Sequence, residues 1–334
     1  MTLSLAERLS LYLSSRDPKA VVSNVNFLVS GFESEIYTFQ LQRSSSPEQY
    51  VLRLFTGDGA VEKLTREARG LALLQKVNYP VPALLLQETD AKILGNPFEI
   101  IERLEGQALW PVLVSAAPEQ QGQHLSQFGV LLAQLHQLDW RLFTDNPETY
   151  EEQPGRLLDE MISGYRSLYT KYNLRGFLQI TDWLNAHKPE ISVRPAVVHQ
   201  DFHANNVFLC SDGRFVVIDW TQFAVSDYRI DLCWTLLIMG DFGYPAWGKQ
   251  ILNTYASHSH RPIKDLDYFH VIVGMKLLAS AVISFAFGPA ELGLRPEAVE
   301  LTKEQLLIYR QISQQIRTVT GLTVPEWEDV CERM

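Results

Sequence analysis

Residues Val197–Trp220 read VVHQDFHANNVFLCSDGRFVVIDW, and this stretch decides the fold. Two apolar runs, Val207–Leu209 and Phe215–Ile218, flank Asp212-Gly213. Apolar, β-branched runs on either side of Asp-Gly predict a hairpin. With Asp212 and Gly213 as the two loop residues, Ser211 faces Arg214, Val207 faces Ile218 and Asn206 faces Asp219. Directly opposed residues have Cβ atoms about 5 Å apart. An amide oxygen and a carboxylate at that spacing suit one hard cation, and oxygen-only ligation with room for water and phosphate points to Mg²⁺.

Upstream, Asp201 sits in a polar, turn-like segment in the arrangement His199-x-Asp201-x-x-x-x-Asn206. Phosphoryl transfer asks a protein for a carboxylate that orients the attacking hydroxyl and for ligands that fix a metal on the phosphates. Asp201 answers the first need, Asn206 and Asp219 the second. Two other readings use the same residues. His199, Asp201 and His203 alternate, and on an extended strand they would share one face as a zinc cluster serving a metal-dependent hydrolase. In the plainest reading, Asp201 and Asn206 only cap turns.

HQDFHANN followed by VVIDW resembles the catalytic and metal segments of the aminoglycoside phosphotransferase and choline kinase superfamily, whose fold is similar to that of protein kinases. The spacing also satisfies H-R-D-x-x-x-x-N followed by D-F-G. Gln200 stands where these phosphotransferases usually have glycine. Trp220 stands where protein kinases have Phe, and tryptophan there is common in the small-molecule branch.

The first hundred residues fit that resemblance. A short amphipathic helix to about Ser15 precedes a strand, turn and strand over Asn24–Leu41, with Gly31-Phe32-Glu33-Ser34 in the turn. A hairpin without a ligand is the default reading of one glycine. The resemblance implies instead that this turn lies over nucleotide phosphates, with Gly31 and Ser34 as contacts. Arg53 then falls inside the apolar strand Tyr50–Phe55, and Glu67 falls on the apolar stripe of the helix Ala60–Val77, between Leu64 and Leu71. Each buried charge needs a partner, and each meets the other's need. That is the logic of the strand cation and helix Glu that position phosphates in kinases. A purely structural pair, or an Arg53 that snorkels to solvent, is the alternative.

Phe98–Leu104 reads as the last strand of a five-stranded sheet. The resemblance implies that adenine meets backbone near Glu102 to Leu104. From Pro118 the pattern turns helical, with helices over Glu119–Leu138, Glu152–Tyr172 and Leu174–Ala186, and His136 read as structural. Only six residues separate Trp220 from Asp227, so the long activation segment of protein kinases has no counterpart, which favours a small-molecule acceptor. Asp227 and Asp231 read as helix-opening acids, with Asp231 a candidate brace for the catalytic loop. Further helices follow over Tyr244–His258, Asp265–Phe287 and Glu297–Thr320, with a short one at Pro325. Asp241, Phe242, Tyr244 and Trp247 form an acidic and aromatic cluster suited to an ammonium or a sugar.

The 334 residues accommodate two lobes, and the net charge of −10 argues against a nucleic-acid partner or binding to anionic lipid. Three scattered cysteines read as reduced, cytoplasmic thiols. The longest apolar run, Leu277–Pro289, follows Lys276 and is short for a membrane span. The expected fold is α+β and kinase-like: an N-terminal nucleotide-binding lobe over residues 1–104 with a small antiparallel sheet and one main helix, and a mostly helical lobe over 105–334. The expected activity moves the γ-phosphate of ATP or GTP, with Mg²⁺, to a hydroxyl of a small molecule. A nucleotide-binding regulator without turnover is the alternative.

Overall fold

The computed structural model describes residues 3–30, 34–188, 192–241, 244–292 and 297–333. The chain opens with helix α1 (Leu5–Arg16), strands β1 (Val21–Ser30), β2 (Ser34–Gln42) and β3 (Pro47–Phe55), and helix α2 (Ala60–Lys76). Strand β4 (Leu84–Glu88), the single turn α3 (Ala91–Leu94) and strands β5 (Phe98–Glu102) and β6 (Gly106–Ala108) follow. Helices α4 (Leu109–Ser115), α5 (Pro118–Gln137), α6 (Pro147–Glu152), α7 (Arg156–Lys171) and α8 (Arg175–His187) lead to β7 (Pro195–Val198). Then come β8 (Val207–Cys210), β9 (Phe215–Val217), β10 (Ala224–Asp227) and α9 (Arg229–Leu236). The chain finishes with α10 (Pro245–Ser259), α11 (Leu266–Phe287), α12 (Glu297–Glu304), α13 (Leu306–Thr320) and α14 (Pro325–Arg333).

These elements form two compact units, Met1–Ala108 with Val207–Phe223, and Leu109–Asn206 with Ala224–Met334. The division differs from a single cut after Leu104. Strand β6 still belongs to the first unit because it pairs with β8, and the β8–β9 hairpin returns there from far along the chain.

In the first unit the sheet runs β1-β2-β3-β5-β4, all antiparallel. Ser4 and Glu7 start α1 with a reciprocal capping box. Leu9 and Leu13 of that helix then pack with Leu52, Leu54, Phe98 and Ile100 on one face of the sheet. Each such side chain contributes about 1.5–3 kcal/mol on full burial. Strand side chains alternate between faces, so Arg53 and Glu99, which are cross-strand partners, point to the other side, where α2 brings Glu67.

The hairpin β8–β9 adds to β6 in a three-stranded sheet. Its register is Val207 with Val217, Phe208 with Val216 and Leu209 with Phe215. This corrects the two-residue loop expected from sequence. The amide of Cys210 donates to Arg214 and the loop is Ser211-Asp212-Gly213, closed by Gly213 in the left-handed region at φ 87°. The ladder is therefore one residue out from the register that would set Asn206 against Asp219. Strand β6 approaches so closely that a Cβ on Gly106 would stand 2.2 Å from the carbonyl oxygen of Leu209.

The second unit is helical apart from the antiparallel pair β7–β10. Its core is built around α11, whose Ile272, Met275, Leu278 and Ile283 are fully buried. The helix starts eleven residues before the apolar run read from sequence. By length and composition it is the one described helix able to cross a membrane, but 67% of that window is buried in the fold. The helix expected over Glu297–Thr320 is two, broken at Gln305.

Candidate active site

In the first unit Arg53 organises a charge cluster. Its Nη1 donates to both carboxylate oxygens of Glu67 at 2.7 Å, Nη2 to Oδ1 of Asp219 at 3.0 Å, and Nε to Oγ of Ser34 at 2.9 Å. The Arg53 side chain is only 12% exposed, so it does not snorkel to solvent. Glu67 also accepts from the amide of Trp220 at 3.2 Å, and Asp219 accepts from the Thr221 hydroxyl. Asp219 has φ 64°, a left-handed conformation that is strained for a side-chain-bearing residue. Burial, reinforced by Asp219, pushes the Glu67 carboxyl up to about 7 against the pull of Arg53. Carboxylates around it hold the Arg53 guanidinium charged despite its burial.

Glu99 is a fourth member that sequence reading missed. It is fully buried, 4.0 Å from Arg53, with neither carboxylate oxygen hydrogen-bonded. Burial and the neighbouring Glu67 drive its pKa well above the usual carboxylate range. The signal was present in FEIIE, where a charge alternates with core residues.

Ser34, expected in the turn, is the first residue of β2, opposite Phe55. Gly31 lies outside the described residues, as do Phe32 and Glu33. The amide of Glu102 donates to Ala83, and its carboxylate accepts from the amide of Ala83. Leu104, just beyond β5, makes no backbone hydrogen bond among the described residues.

In the second unit β7 ends at Val198 and residues 199–203 form a tight loop. Asp231, fully buried in the first turn of α9, accepts from the amides of His199 at 2.7 Å and Gln200 at 2.6 Å. It braces the loop from the first turn of the helix, while Asp227, just ahead of the helix, accepts from the amide of Arg229 at 3.0 Å. His136 Nε2 lies 3.4 Å from the same carboxylate and Nδ1 2.8 Å from the Tyr255 hydroxyl. Gln200 takes φ 64°, a conformation that glycine adopts freely.

The loop presents Asp201. Oδ1 accepts from the indole N–H of Trp234 at 2.9 Å and lies 3.2 Å from His203 Nε2. Oδ2 accepts from Nδ2 of Asn206 at 3.0 Å. The same Nδ2 also donates to the Asp201 carbonyl, so the amide oxygen of Asn206 is the atom left to serve as a ligand. Burial would raise the Asp201 pKa, but His203, Lys276 and His199 hold it below the ordinary carboxylate value.

The zinc reading fails here. His199 is fully buried, its Nδ1 accepts from the amide of Asp201, and the segment is a loop, so the three side chains do not share a strand face. Among the described residues no group of three His, Cys, Asp or Glu is placed to hold a metal ion. The amide oxygen of Asn206 and the carboxylate of Asp219 are each donors of the kind that Mg²⁺ takes. Of the aromatic cluster, Tyr244 stacks on Trp247 at 3.9 Å with Trp110 edge-on to both, while Phe242 lies outside the described residues.

The family model described as "Phosphotransferase enzyme family" matches residues 24–265. The chain belongs to that family. Among solved structures, a candidate aminoglycoside phosphotransferase of Ralstonia eutropha shares the fold with TM-score 0.69 at 18% identity, covering 95% of this chain and 98% of that one. Choline kinase LicA of Streptococcus pneumoniae aligns at TM-score 0.59 and 16% identity over 93% and 98%. The gentamicin complex of APH(2")-IIa gives 0.58 and 16% over 94% and 97%. The kinase-like α+β fold expected from sequence is thus the fold of this phosphotransferase-family chain. Among curated relatives, the probable acyl-CoA dehydrogenase IBR3 of Arabidopsis thaliana is 25% identical over 62% of this chain and 27% of its own length. Acyl-CoA dehydrogenase family member 11 of Rattus norvegicus is 27% identical over 55% and 24%. The chain spans about a quarter of the length of these relatives.

Proposed function

We propose that this phosphotransferase-family protein transfers the γ-phosphoryl group of a nucleoside triphosphate, ATP before GTP, to a hydroxyl of a small molecule. The observation that carries the reading is Arg53, whose single guanidinium joins the helix carboxylate Glu67 to Asp219, the acid after the hairpin. A charge fixed at both ends is what positioning a polyphosphate requires. Solved relatives of this fold include complexes with ADP, ATP, AMP and GDP, which supports a purine nucleotide.

In this reading Asp201 accepts the proton of the acceptor hydroxyl, with Trp234, His203 and Asn206 fixing its carboxylate. Asn206 and Asp219 would hold Mg²⁺, which supplies charge neutralisation on the phosphates when bound. Arg53 steadies the phosphates, with the Ser34 hydroxyl beside it, and backbone from Glu102 to Leu104 receives the base.

Purified protein is incubated with MgATP and a panel of small hydroxyl compounds, with ADP release and ³¹P NMR of the product as readouts and calorimetry for MgADP. The wild type is expected to bind MgADP and phosphorylate at least one compound. Asp201→Asn is expected to abolish transfer with MgADP affinity nearly unchanged. A wild type that binds no MgADP, or an Asp201→Asn variant with full activity, overturns the assignment.

A further inference from the structure

Glu99 stands directly opposite Arg53 in the β3–β5 ladder, where paired residues have Cβ atoms about 5 Å apart. It is fully buried, comes no nearer to Arg53 than 4.0 Å, and neither of its oxygens has a hydrogen-bond partner. A carboxyl shut away from water without a hydrogen bond destabilises a fold. The guanidinium does not need this further charge, because Glu67 and Asp219 already oppose it with two carboxylates. The arrangement thus gives Glu99 a cost and no matching bond.

The cluster is open at its other end. The Asp219 side chain is 39% exposed, against 2% for Glu67 and 0% for Glu99. Its Oδ1 accepts from Nη2 of Arg53 and from the Thr221 hydroxyl. A divalent cation on that carboxylate would set two positive charges against the guanidinium on the same group. In a partly buried site such repulsion exceeds one charge-assisted hydrogen bond, so Arg53 has to release Asp219 when a metal is bound there. Glu67 keeps its hold, because both its oxygens accept from Nη1. Closing the 4.0 Å gap to Glu99 then takes a movement of only about 1 Å. Strand β5 lies inside the sheet, so the carboxyl is fixed in place, and either protonation state offers an acceptor oxygen.

Resting on the phosphotransferase reading, we infer that Glu99 is a positioning residue, a second seat for the Arg53 guanidinium that accepts its N–H once Asp219 turns to the metal. Asp219 is thereby released without Arg53 losing its place beside Glu67.

The test reads binding, not turnover. ADP affinity is measured by calorimetry, with Mg²⁺ and with EDTA, in wild type, in Glu99→Leu and in the double variant Arg53→Lys with Glu99→Leu. Mg²⁺ is expected to tighten ADP about tenfold or more in the wild type and no more than about threefold in Glu99→Leu, where Arg53 has no second seat and keeps Asp219. Lysine lacks the fork that spans Glu67 and Asp219 together, so the double variant is expected to regain the Mg²⁺ effect at weaker overall affinity. A packing role alone would change both affinities alike. A second readout uses the wild type itself: carboxyl ¹³C NMR, with the Glu99 signal assigned by its loss in Glu99→Gln. That signal is expected to move when ADP is added with Mg²⁺ and to stay when ADP is added with EDTA. An unmoved Glu99 signal in protein that binds MgADP, a full Mg²⁺ effect in Glu99→Leu, or a double variant as indifferent to Mg²⁺ as Glu99→Leu overturns the inference. Protein that binds ADP under neither condition overturns the phosphotransferase reading instead.

Discussion

The indole N–H of Trp234 donates to Oδ1 of Asp201 across 2.9 Å, joining helix α9 to a carboxylate that lies 33 residues earlier in the chain. A hydrogen bond to a charged acceptor contributes about 1.5–3 kcal/mol. Trp234→Phe keeps an aromatic ring and removes only the donor from a side chain that is almost fully buried. If the bond serves orientation, transfer should slow about 10- to 100-fold, since about 1.4 kcal/mol is a factor of ten. MgADP affinity should stay within twofold by calorimetry. Unchanged turnover in this variant would take Trp234 out of the positioning of Asp201.

Gln200 holds φ at 64° while its amide is pinned by Asp231. A left-handed backbone costs a side-chain-bearing residue about 1–2 kcal/mol, whereas glycine loses about 0.5–1 kcal/mol through its freedom in the unfolded chain. The two nearly cancel. Gln200→Gly is therefore expected to unfold in urea within about 1 kcal/mol of wild type. Gln200→Val, whose β-branch fits this conformation worst, should lose about 2 kcal/mol or more. A Val variant as stable as wild type would mean that the loop does not need the left-handed turn.

Much of this arrangement was legible because its signals are local. Arg53 and Glu67 each interrupt an apolar period, and a misplaced charge asks for a partner within the same few elements. Asp201 and Asn206 are set five residues apart by one turn. The hairpin register was not fixed by the residues, because Ser-Asp-Gly-Arg fits a two-residue and a three-residue loop alike; the two-residue loop needs a positive φ at Asp212 as well as at Gly213, and only Gly213 has one. Ser34 was read as turn because Gly31 drew the boundary too late. Trp234 and Lys276 had no local signal. Lys276 meets Gln200 across 76 residues, through helix packing that no periodicity encodes. Glu99 was visible as a charge among core residues, yet nothing in sequence told that its oxygens would go unpaired.

Arg53 is the partner on which Glu67 and Asp219 both depend. Removing one member of a buried ion pair strands the other and costs about 3–5 kcal/mol. Arg53→Met, which fills the same volume without charge, should lower stability by about that amount in urea unfolding and raise the KM for ATP. Arg53→Lys restores a cation but not the planar fork that reaches Ser34, Glu67 and Asp219 together, so it should recover stability more than it recovers KM. Equal recovery of both would argue that the fork has no role in holding phosphate.

Glu99 makes the stability of the first unit depend on pH. Burial and Glu67 lift its folded pKa well above the unfolded value of 4.5, so between the two the folded chain keeps a proton that the unfolded chain releases. Stability supplied by that neutral form is complete below pH 4.5 and declines as pH rises toward the folded pKa, by at most about 1.4 kcal/mol per pH unit for one group. Glu67, lifted to about 7, adds a decline of the same sign over the lower part of that window. Glu99→Gln keeps the shape and cannot ionise. Its melting temperature should match wild type near pH 5 and exceed it by a growing margin toward pH 8. Melting curves that stay parallel across that range would show that Glu99 ionises in the folded protein as it does in the unfolded chain.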